Sequence, residues 1–222
     1  MVAHAKKKAG RPKRSPVASG DLGGRQKILD VATRLFAQKG LDGVTVQDIV
    51  SGAETNLSMV SYYFGGKEGL YFECIERAAK AGLESSERIL SAPKTEEEFL
   101  LRLRLFIEEI FVFHIINRDV TTIVQREMAD PDSKLRNKKD NGFFKIYQSF
   151  ESYFAAALKA QIIRKDVDLE AFCIFYFNSI VAICKTDCCA SAILGLEIDD
   201  RKFRDSMVDV AMSSVMPVLK RA

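Results

Sequence analysis

The side chains with the chemistry to contact another molecule lie close together in residues 56–67. Leu57, Ser58 and Ser61 share one face of a predicted helix, because residues at i, i+1 and i+4 lie side by side at 3.6 residues per turn. The serine hydroxyls can hydrogen-bond to several base edges, and Leu57 can contact a thymine methyl group. This face therefore suits the major groove of duplex DNA.

Hydrogen-bond donors flank that face. The hydroxyls of Tyr62 and Tyr63 and the ammonium of Lys67 suit phosphate oxygens. Thr45 and Gln47 open the preceding helix, where free N–H groups and the helix dipole also favour phosphate. We expect these five residues to hold the DNA backbone.

Capping signals predict the helices that position these groups. Thr45 is an N-cap with Asp48 in the first turn, Gly52 is expected to end that helix, and Asn56 caps the next. Gly65–Gly66 ends the second helix, and a longer helix begins near Lys67. An amphipathic helix precedes them, and its apolar stripe consists of Ile28, Leu29, Ala32, Leu35 and Phe36, before Lys39–Gly40. The pattern predicts a helix-turn-helix unit; the alternative is three helices that only form a core, with both tyrosines buried.

The charge distribution indicates a polyanion partner. The net charge is only +3, but the first 80 residues carry 13 Lys and Arg against 8 Asp and Glu. Residues 1–23 contain almost no large apolar side chains and are expected to form a disordered basic arm. Arg11, Lys13 and Arg14 are its candidate DNA contacts. The arm contains Gly10-Arg11-Pro12, which resembles an AT-hook core that reads the minor groove; a plain basic tail is the alternative.

The rest of the chain is also predicted to be helical, with helices near residues 95–116, 117–129, 133–164, 168–195 and 200–216. No period-two strand pattern is present, so the fold class is all-α. We expect residues 24–70 to form the helix-turn-helix domain and residues 71–222 to form a larger helical domain.

Several function classes are excluded at this stage. No Ser/His/Asp or Cys/His set and no phosphate-binding loop after a strand is present, so we expect no enzyme activity and no cofactor. With two histidines, no metal site is expected. No apolar run reaches membrane-spanning length and no signal peptide is evident, and the odd number of cysteines predicts reduced thiols; a cytoplasmic protein is expected. Cys184 and Cys188 share a helix face, so a thiol sensor is conceivable, but packing as small apolar residues is the simpler interpretation.

The segment from Arg25 to about Leu83 resembles the N-terminal domain of the TetR family of bacterial transcriptional regulators. The resemblance is most specific in Tyr-Phe-Gly-Gly-Lys-Glu-Gly-Leu, residues 63–70, and residues 126–134 resemble a C-terminal subgroup of the family. Two places depart from the family pattern, since Ser61 stands where tyrosine is common and Glu54-Thr55 replace the usual Gly-Val.

The resemblance implies a homodimer that binds double-stranded, palindromic operator DNA and senses a small molecule in its C-terminal domain. An aromatic stripe from Phe143 to Phe154 could line the effector cavity, although bundle core is the simpler interpretation of each ring. The candidate effector-binding residues are Phe106, Phe111, His114, Phe144, Tyr147, Phe150 and Phe175. The candidate dimer-interface residues are Ala171, Ile174, Asn178, Ile183, Val208, Met212 and Val215.

The function expected from these features is a ligand-responsive transcriptional repressor, released from its operator by a small apolar or amphipathic effector. The alternative is an architectural DNA-binding protein with little sequence preference that grips mainly through its basic arm.

Overall fold

The computed structural model describes residues 19–137, 141–185, 192–193, 195 and 199–219. Within these ranges the chain is helical, and the only β-type pairing there is an isolated bridge between Ile163 and Leu219. The helices are α1 Ser19–Lys39, α2 Val46–Ala53, α3 Leu57–Phe64, α4 Lys67–Ile89, α5 Glu96–Ile116, α6 Arg118–Ala129, α7 Lys134–Asn137, α8 Gly142–Lys159, α9 Leu169–Lys185 and α10 Arg201–Val215. A short 3₁₀ turn, Met216–Val218, follows α10. None of the helices in the described ranges combines the length and apolarity that crossing a membrane requires.

The N-terminal helices enclose a core of their own. Its buried side chains come from α1 to α4, with one residue each from α6 and α7: Ile28, Leu29, Val31, Ala32, Phe36, Ala37, Val44, Ile49, Val50, Ala53, Val60, Leu70, Tyr71, Cys74, Ile75, Ile123 and Leu135. The i, i+4, i+7 spacing of the α1 residues produces one apolar stripe, and burying it is the main source of this unit's stability.

The end of α2 differs from the sequence prediction. Thr45 caps the helix as expected, since its hydroxyl accepts from Asp48 N–H at 3.1 Å and Asp48 accepts from Thr45 N–H at 2.9 Å. Gly52, however, lies inside the last turn, where a Cβ would approach Val31 Cγ1 to 2.8 Å. The left-handed C-cap is Glu54, with φ 53°. Gly52 is therefore required for close contact between α1 and α2, and Glu54 makes the turn.

Helix α4 connects the two halves of the molecule. Its first half contributes Leu70, Tyr71, Cys74 and Ile75 to the N-terminal core, and its second half packs against α5 and α8. At Gly142, the first residue of α8, a Cβ would lie 2.7 Å from Ala79 Cβ. Because α8 begins in such close contact with α4, movement of one helix requires movement of the other.

The C-terminal helices form a second, larger core with many aromatic rings. Phe99 stacks on Tyr153 with ring centroids 5.2 Å apart, and Phe150 and Phe154 lie 4.8 Å apart. Two buried tyrosine hydroxyls are satisfied by backbone carbonyls: Tyr153 donates to Phe99 at 2.6 Å and Tyr176 donates to Ala211 at 2.7 Å. The buried hydroxyl of Tyr147 on α8 has no hydrogen-bond partner among the described residues.

The predicted helix boundaries are confirmed in some places and wrong in others. Thr95 and Asp200 cap α5 and α10 with their side chains, close to where the sequence predicted these helices to begin. The single helix predicted over residues 133–164 is wrong, because Asn141 caps a separate helix α8 by accepting from Phe144 N–H at 3.0 Å. Asn56 occupies the N-cap position of α3 without a side-chain hydrogen bond. The expected continuation of α9 to residue 195 falls mostly outside the described residues.

Candidate nucleic-acid interface and ligand cavity

The outer face of α3 is open, as the sequence predicted. Leu57, Ser58 and Ser61 are exposed, and the Leu57 side chain retains 53% of its accessible surface. The opposite side of the helix is held by Val60, which is completely buried in the N-terminal core. The helix ends at Gly65, whose positive φ of 73° suits glycine. A short helix is thus anchored by one face and presents small side chains on the other.

The groups flanking α3 occupy different environments. Tyr62 is exposed, whereas Tyr63 is partly buried and its ring packs edge-on against Tyr62, with centroids 5.1 Å apart. Thr45 and Gln47 are exposed at the start of α2. The Thr45 hydroxyl also donates to the Asp48 carboxylate at 2.7 Å. This hydrogen bond is the largest cause of a lowered pKa at Asp48.

Lys67 has a structural role that the sequence did not predict. Its ammonium donates to the carbonyls of Leu41 and Val44 at 2.9 and 3.0 Å, so it holds the α1–α2 loop onto the start of α4. Two of its three donors are used in this way, and a phosphate contact through the third stays a prediction.

Arg25 fixes the relative positions of α1, α3 and α4. Its guanidinium lies 4.9 Å from the centroid of Phe64 and 2.6 Å from the Glu73 carboxylate. The start of α1 also passes close to α3, since a Cβ at Gly24 would lie 3.9 Å from the Tyr63 hydroxyl. The candidate contacts Arg11, Lys13 and Arg14 lie outside the described residues.

A cavity of about 430 Å³ lies among α4, α5, α6, α8 and α9. Four of the predicted effector-binding residues line it: Phe106, His114, Phe144 and Tyr147. The sequence analysis missed Phe177, the carboxylate of Glu109 and the entire wall formed by α6, which comprises Thr121, Val124, Gln125 and Met128. An amphipathic pattern with one apolar face could have indicated that α6 packs inward.

Three of the predicted effector-binding residues do not line the cavity. Phe111 and Phe150 are completely buried in the bundle core, because their helix positions face the neighbouring helices and not the gap among them. Phe175 on α9 is 70% exposed and does not line the cavity, although its neighbours Ile174 and Asn178 do.

Some of the predicted dimer-interface residues are exposed and others are packed in the bundle. Ala171, Ile174 and Asn178 are exposed on α9, next to Phe175. The structure contradicts the prediction for Val208 and Val215, which are buried in the bundle core. Ile183 and Met212 are partly buried against that core, and their place in an interface stays a prediction. On α10 the exposed apolar residue is instead Val210, at 52%.

The cysteines of the bundle are packed inside it. Cys173 and Cys184 are buried, and burial raises the pKa of the Cys173 thiol to about 12. Cys188 lies outside the described residues, so a sensor formed with Cys184 stays untested.

Helix α6 contacts both the cavity and the N-terminal unit. Arg126 donates to the carbonyls of Phe36 and Ala37, in the last turn of α1, at 2.9 Å each. The neighbouring Glu127 accepts from the Tyr71 hydroxyl of α4 at 2.6 Å and from Ser133 at 2.6 Å. One wall of the cavity is therefore hydrogen-bonded directly to the helices that carry α3.

The arrangement of a capped α2, a tight turn and a surface-mounted α3 defines a helix-turn-helix protein with an all-helical second unit. Residues 28–74 match the family model described as bacterial regulatory proteins, tetR family. The N-terminal segment of the chain is therefore similar to that of this family.

Curated relatives match up to half of the chain. It is 34% identical over 116 residues to the "Probable HTH-type transcriptional regulator YttP" of Bacillus subtilis, covering 50% of this chain and 54% of that protein. It is 29% identical over 90 residues to the HTH-type transcriptional repressor NicS of Pseudomonas putida, covering 40% and 42%. The chain thus spans about half the length of the curated relatives it matches.

Solved structures share the fold over most of the chain. The fatty acid degradation regulator FadR from Bacillus halodurans superposes with a TM-score of 0.70 at 13% identity, covering 95% of this chain and all of that one. The regulator PfmR from Thermus thermophilus gives 0.64 at 17% identity, covering 87% and 99%. At such identities the likeness describes the fold alone.

Proposed function

We propose that this protein is a transcriptional repressor that binds operator DNA as a homodimer and is released by a small apolar or amphipathic effector. The observation that carries the proposal is the exposed face of α3. The buried Val60 anchors the opposite side of this helix in the core, within the segment that matches the family model. Relatives that match 40–50% of the chain are named as transcriptional regulators.

In the proposed complex, α3 enters the major groove. Leu57, Ser58 and Ser61 contact base edges, and Thr45, Gln47, Tyr62, Tyr63 and Lys67 contact phosphates. Fluorescence anisotropy with the promoter DNA adjoining the protein's own gene tests this. Ser58→Asp should abolish specific binding, because it places a carboxylate among phosphates. The matched control is Ser152→Asp, at an exposed serine on α8, which should bind as the wild type does. Equal effects of the two substitutions would contradict the docking.

Release is proposed to run through α6. An effector in the cavity contacts Thr121, Val124, Gln125 and Met128 of α6. If α6 moves, the partners of its hydrogen bonds move too: the Phe36 carbonyl of α1, which accepts from Arg126, and the Tyr71 hydroxyl of α4, which donates to Glu127. The position of α1 relative to α4 then changes, and with it the spacing of the two α3 helices in the dimer. The effector can act in this way only if it binds the released state more tightly than the DNA-bound state.

The proposed dimer interface is the exposed apolar face of α9 and α10, comprising Ala171, Ile174, Phe175, Asn178 and Val210. Burying such a face against a second copy would remove apolar surface from water. Phe175→Asp should yield a monomer in analytical ultracentrifugation, whereas Leu101→Asp, at an exposed leucine on α5, should remain a dimer. A dimer that persists with Phe175→Asp would refute this interface.

The basic arm is proposed to add affinity alongside α3. Deleting residues 1–18 removes six Lys and Arg and should weaken binding to the operator moderately and flatten its salt dependence. Two results together would favour an architectural protein instead: the deletion variant loses nearly all affinity for DNA, and the full chain binds operator and unrelated DNA equally well.

A further inference from the structure

The cavity contains one group that is unusual for an apolar site, the carboxylate of Glu109. Glu109 of α5 lines the cavity together with the aromatic residues Phe106, Phe113, Phe143, Phe144, Tyr147 and Phe177. Its hydrogen-bond partner is the Ser85 hydroxyl of α4, which donates to Oε1 at 2.7 Å. A carboxylate in apolar surroundings is costly unless hydrogen bonds or an opposite charge compensate it.

No cation of the described chain forms an ion pair with Glu109. Among the described residues that line the cavity there is no lysine or arginine. Arg88 approaches from outside the cavity and donates to the Ser85 oxygen at 3.3 Å, one group removed from the carboxylate. The second carboxylate oxygen is thus available to an occupant of the cavity.

Several other polar groups of the lining donate hydrogen bonds within the protein. Ser86 donates to the Gly82 carbonyl, Thr121 donates to Arg118, and the Asn178 amide donates to Ile174 at 2.7 Å. His114 Nδ1 lies 2.8 Å from the Ile110 carbonyl, where the ring nitrogen must be the donor. The Tyr147 hydroxyl, also in the lining, is buried without a hydrogen-bond partner in the described part of the chain. Its oxygen and those of Ser86 and Thr121 can accept hydrogen bonds from an occupant of the cavity.

We propose that the effector carries a protonated amine, which pairs with Glu109 while its apolar body packs among the rings. An ammonium group supplies both the positive charge and the N–H donors, and the ring faces add cation–π attraction. The same chemistry disfavours a carboxylate-bearing effector such as a fatty acid, which would bring a second negative charge next to Glu109. This inference rests on the proposed function of the cavity as the effector site.

Three matched ten-carbon probes test the inference: decylamine, which is protonated at neutral pH, decanol and decanoate. Isothermal titration of each, below its micelle concentration, gives the affinity of the free protein. We expect decylamine to bind at least about tenfold more tightly than decanoate, with decanol between them, as a charge-assisted hydrogen bond implies. Glu109→Gln keeps an acceptor for the Ser85 hydroxyl. It should weaken the affinity for decylamine about tenfold and leave the affinity for decanol unchanged.

The matched control is Glu108→Gln, which removes the neighbouring carboxylate on the outer side of α5, where it pairs with Arg104 at 3.4 Å. It should leave all three affinities unchanged. Decanoate binding most tightly, equal losses in the two variants, or no binding by any probe would overturn the inference. If Glu109→Gln does not fold, the ranking of the probes on the wild-type protein decides. Operator binding measured without ligand is independent of this result, so failure of the repressor proposal would be seen separately.

Discussion

Removing the guanidinium of Arg126 should weaken the communication between cavity and DNA more than it weakens either binding site. Arg126→Met keeps the apolar stem on α6 and deletes the two hydrogen bonds to the last turn of α1. Neither α3 nor the cavity lining contains this side chain. Both binding surfaces should therefore survive the substitution.

The size of the effect follows from the acceptors. In the variant the Phe36 carbonyl still accepts from the Gly40 N–H at 2.9 Å. The main loss is therefore the hydrogen bond from Arg126 to the Ala37 carbonyl. A buried hydrogen bond to a charged group contributes about 1.5–3 kcal/mol, but this residue is exposed and its contribution is screened. We expect a loss of about 1–2 kcal/mol in the free energy of unfolding, and a loss of the same order in coupling, which is about 5- to 30-fold in affinity.

The assay is anisotropy of labelled promoter DNA, with and without a saturating amount of whichever ten-carbon probe binds the wild type most tightly. The ratio of the two DNA affinities measures the coupling. In Arg126→Met this ratio should move towards one while the DNA affinity without ligand changes little. Arg118→Met is the matched control on the same helix, since the Arg118 guanidinium lies 3.9 Å from the Asp199 carboxylate.

An unchanged ratio in Arg126→Met, with both binding affinities intact, would refute the reasoning that α6 transmits through this contact. A loss of coupling of the same size in Arg118→Met would refute it equally, because the effect would then belong to α6 in general. Urea unfolding of both variants separates loss of stability from loss of coupling.

Three further predictions concern the folded protein alone. Glu54→Gly should stabilise it by about 0.5–1 kcal/mol in urea unfolding, because relief of the left-handed strain outweighs the exposed ion pair with Lys27; a destabilised variant would contradict this. The hydrogen bond from the Thr45 hydroxyl is the main reason that the pKa of Asp48 lies below its ordinary 3.8. The ionised Asp48 carboxylate therefore stabilises the fold fully above pH 3.8, and this stabilisation is lost as the pH falls through the lowered pKa. In Thr45→Ala an NMR titration should find the pKa of Asp48 raised towards 3.8. Cys173, whose pKa burial raises to about 12, should resist iodoacetamide at pH 8 until the protein unfolds; rapid labelling of the native protein, detected by mass spectrometry, would contradict its burial.

Local signals in the sequence were sufficient for the N-terminal unit. The capping box of Thr45 and Asp48 was confirmed, and the face of α3 carrying Ser58 and Ser61 was correctly separated from Val60. These features depend on contacts a few residues apart, which periodicity and capping report directly. The left-handed turn at Glu54 was missed, because the neighbouring Gly52 is the residue that usually makes such a turn.

For residues 126–134 the sequence showed a resemblance but not the contacts that these residues make. Their resemblance to a subgroup of the family marked the segment, but nothing in the sequence joined Arg126 to α1 or Glu127 to Tyr71. Those partners lie 89 or 90 and 56 residues away. Contacts at such separations arise from the packing of whole helices, and one sequence contains no record of which helices meet.

The sequence by itself determined that the chain is all-α, which face of each short helix is apolar and where most helices begin, because these depend on side-chain spacing and on backbone capping. Only the tertiary structure decided that Phe144 lines the cavity while Phe150 fills the core, and that Phe175 is outside while Val208 is inside. An apolar residue is stabilised by leaving water wherever it packs, so hydrophobicity alone does not distinguish a core, a cavity wall and an interface. That distinction is made by the gap that neighbouring helices leave when they cross.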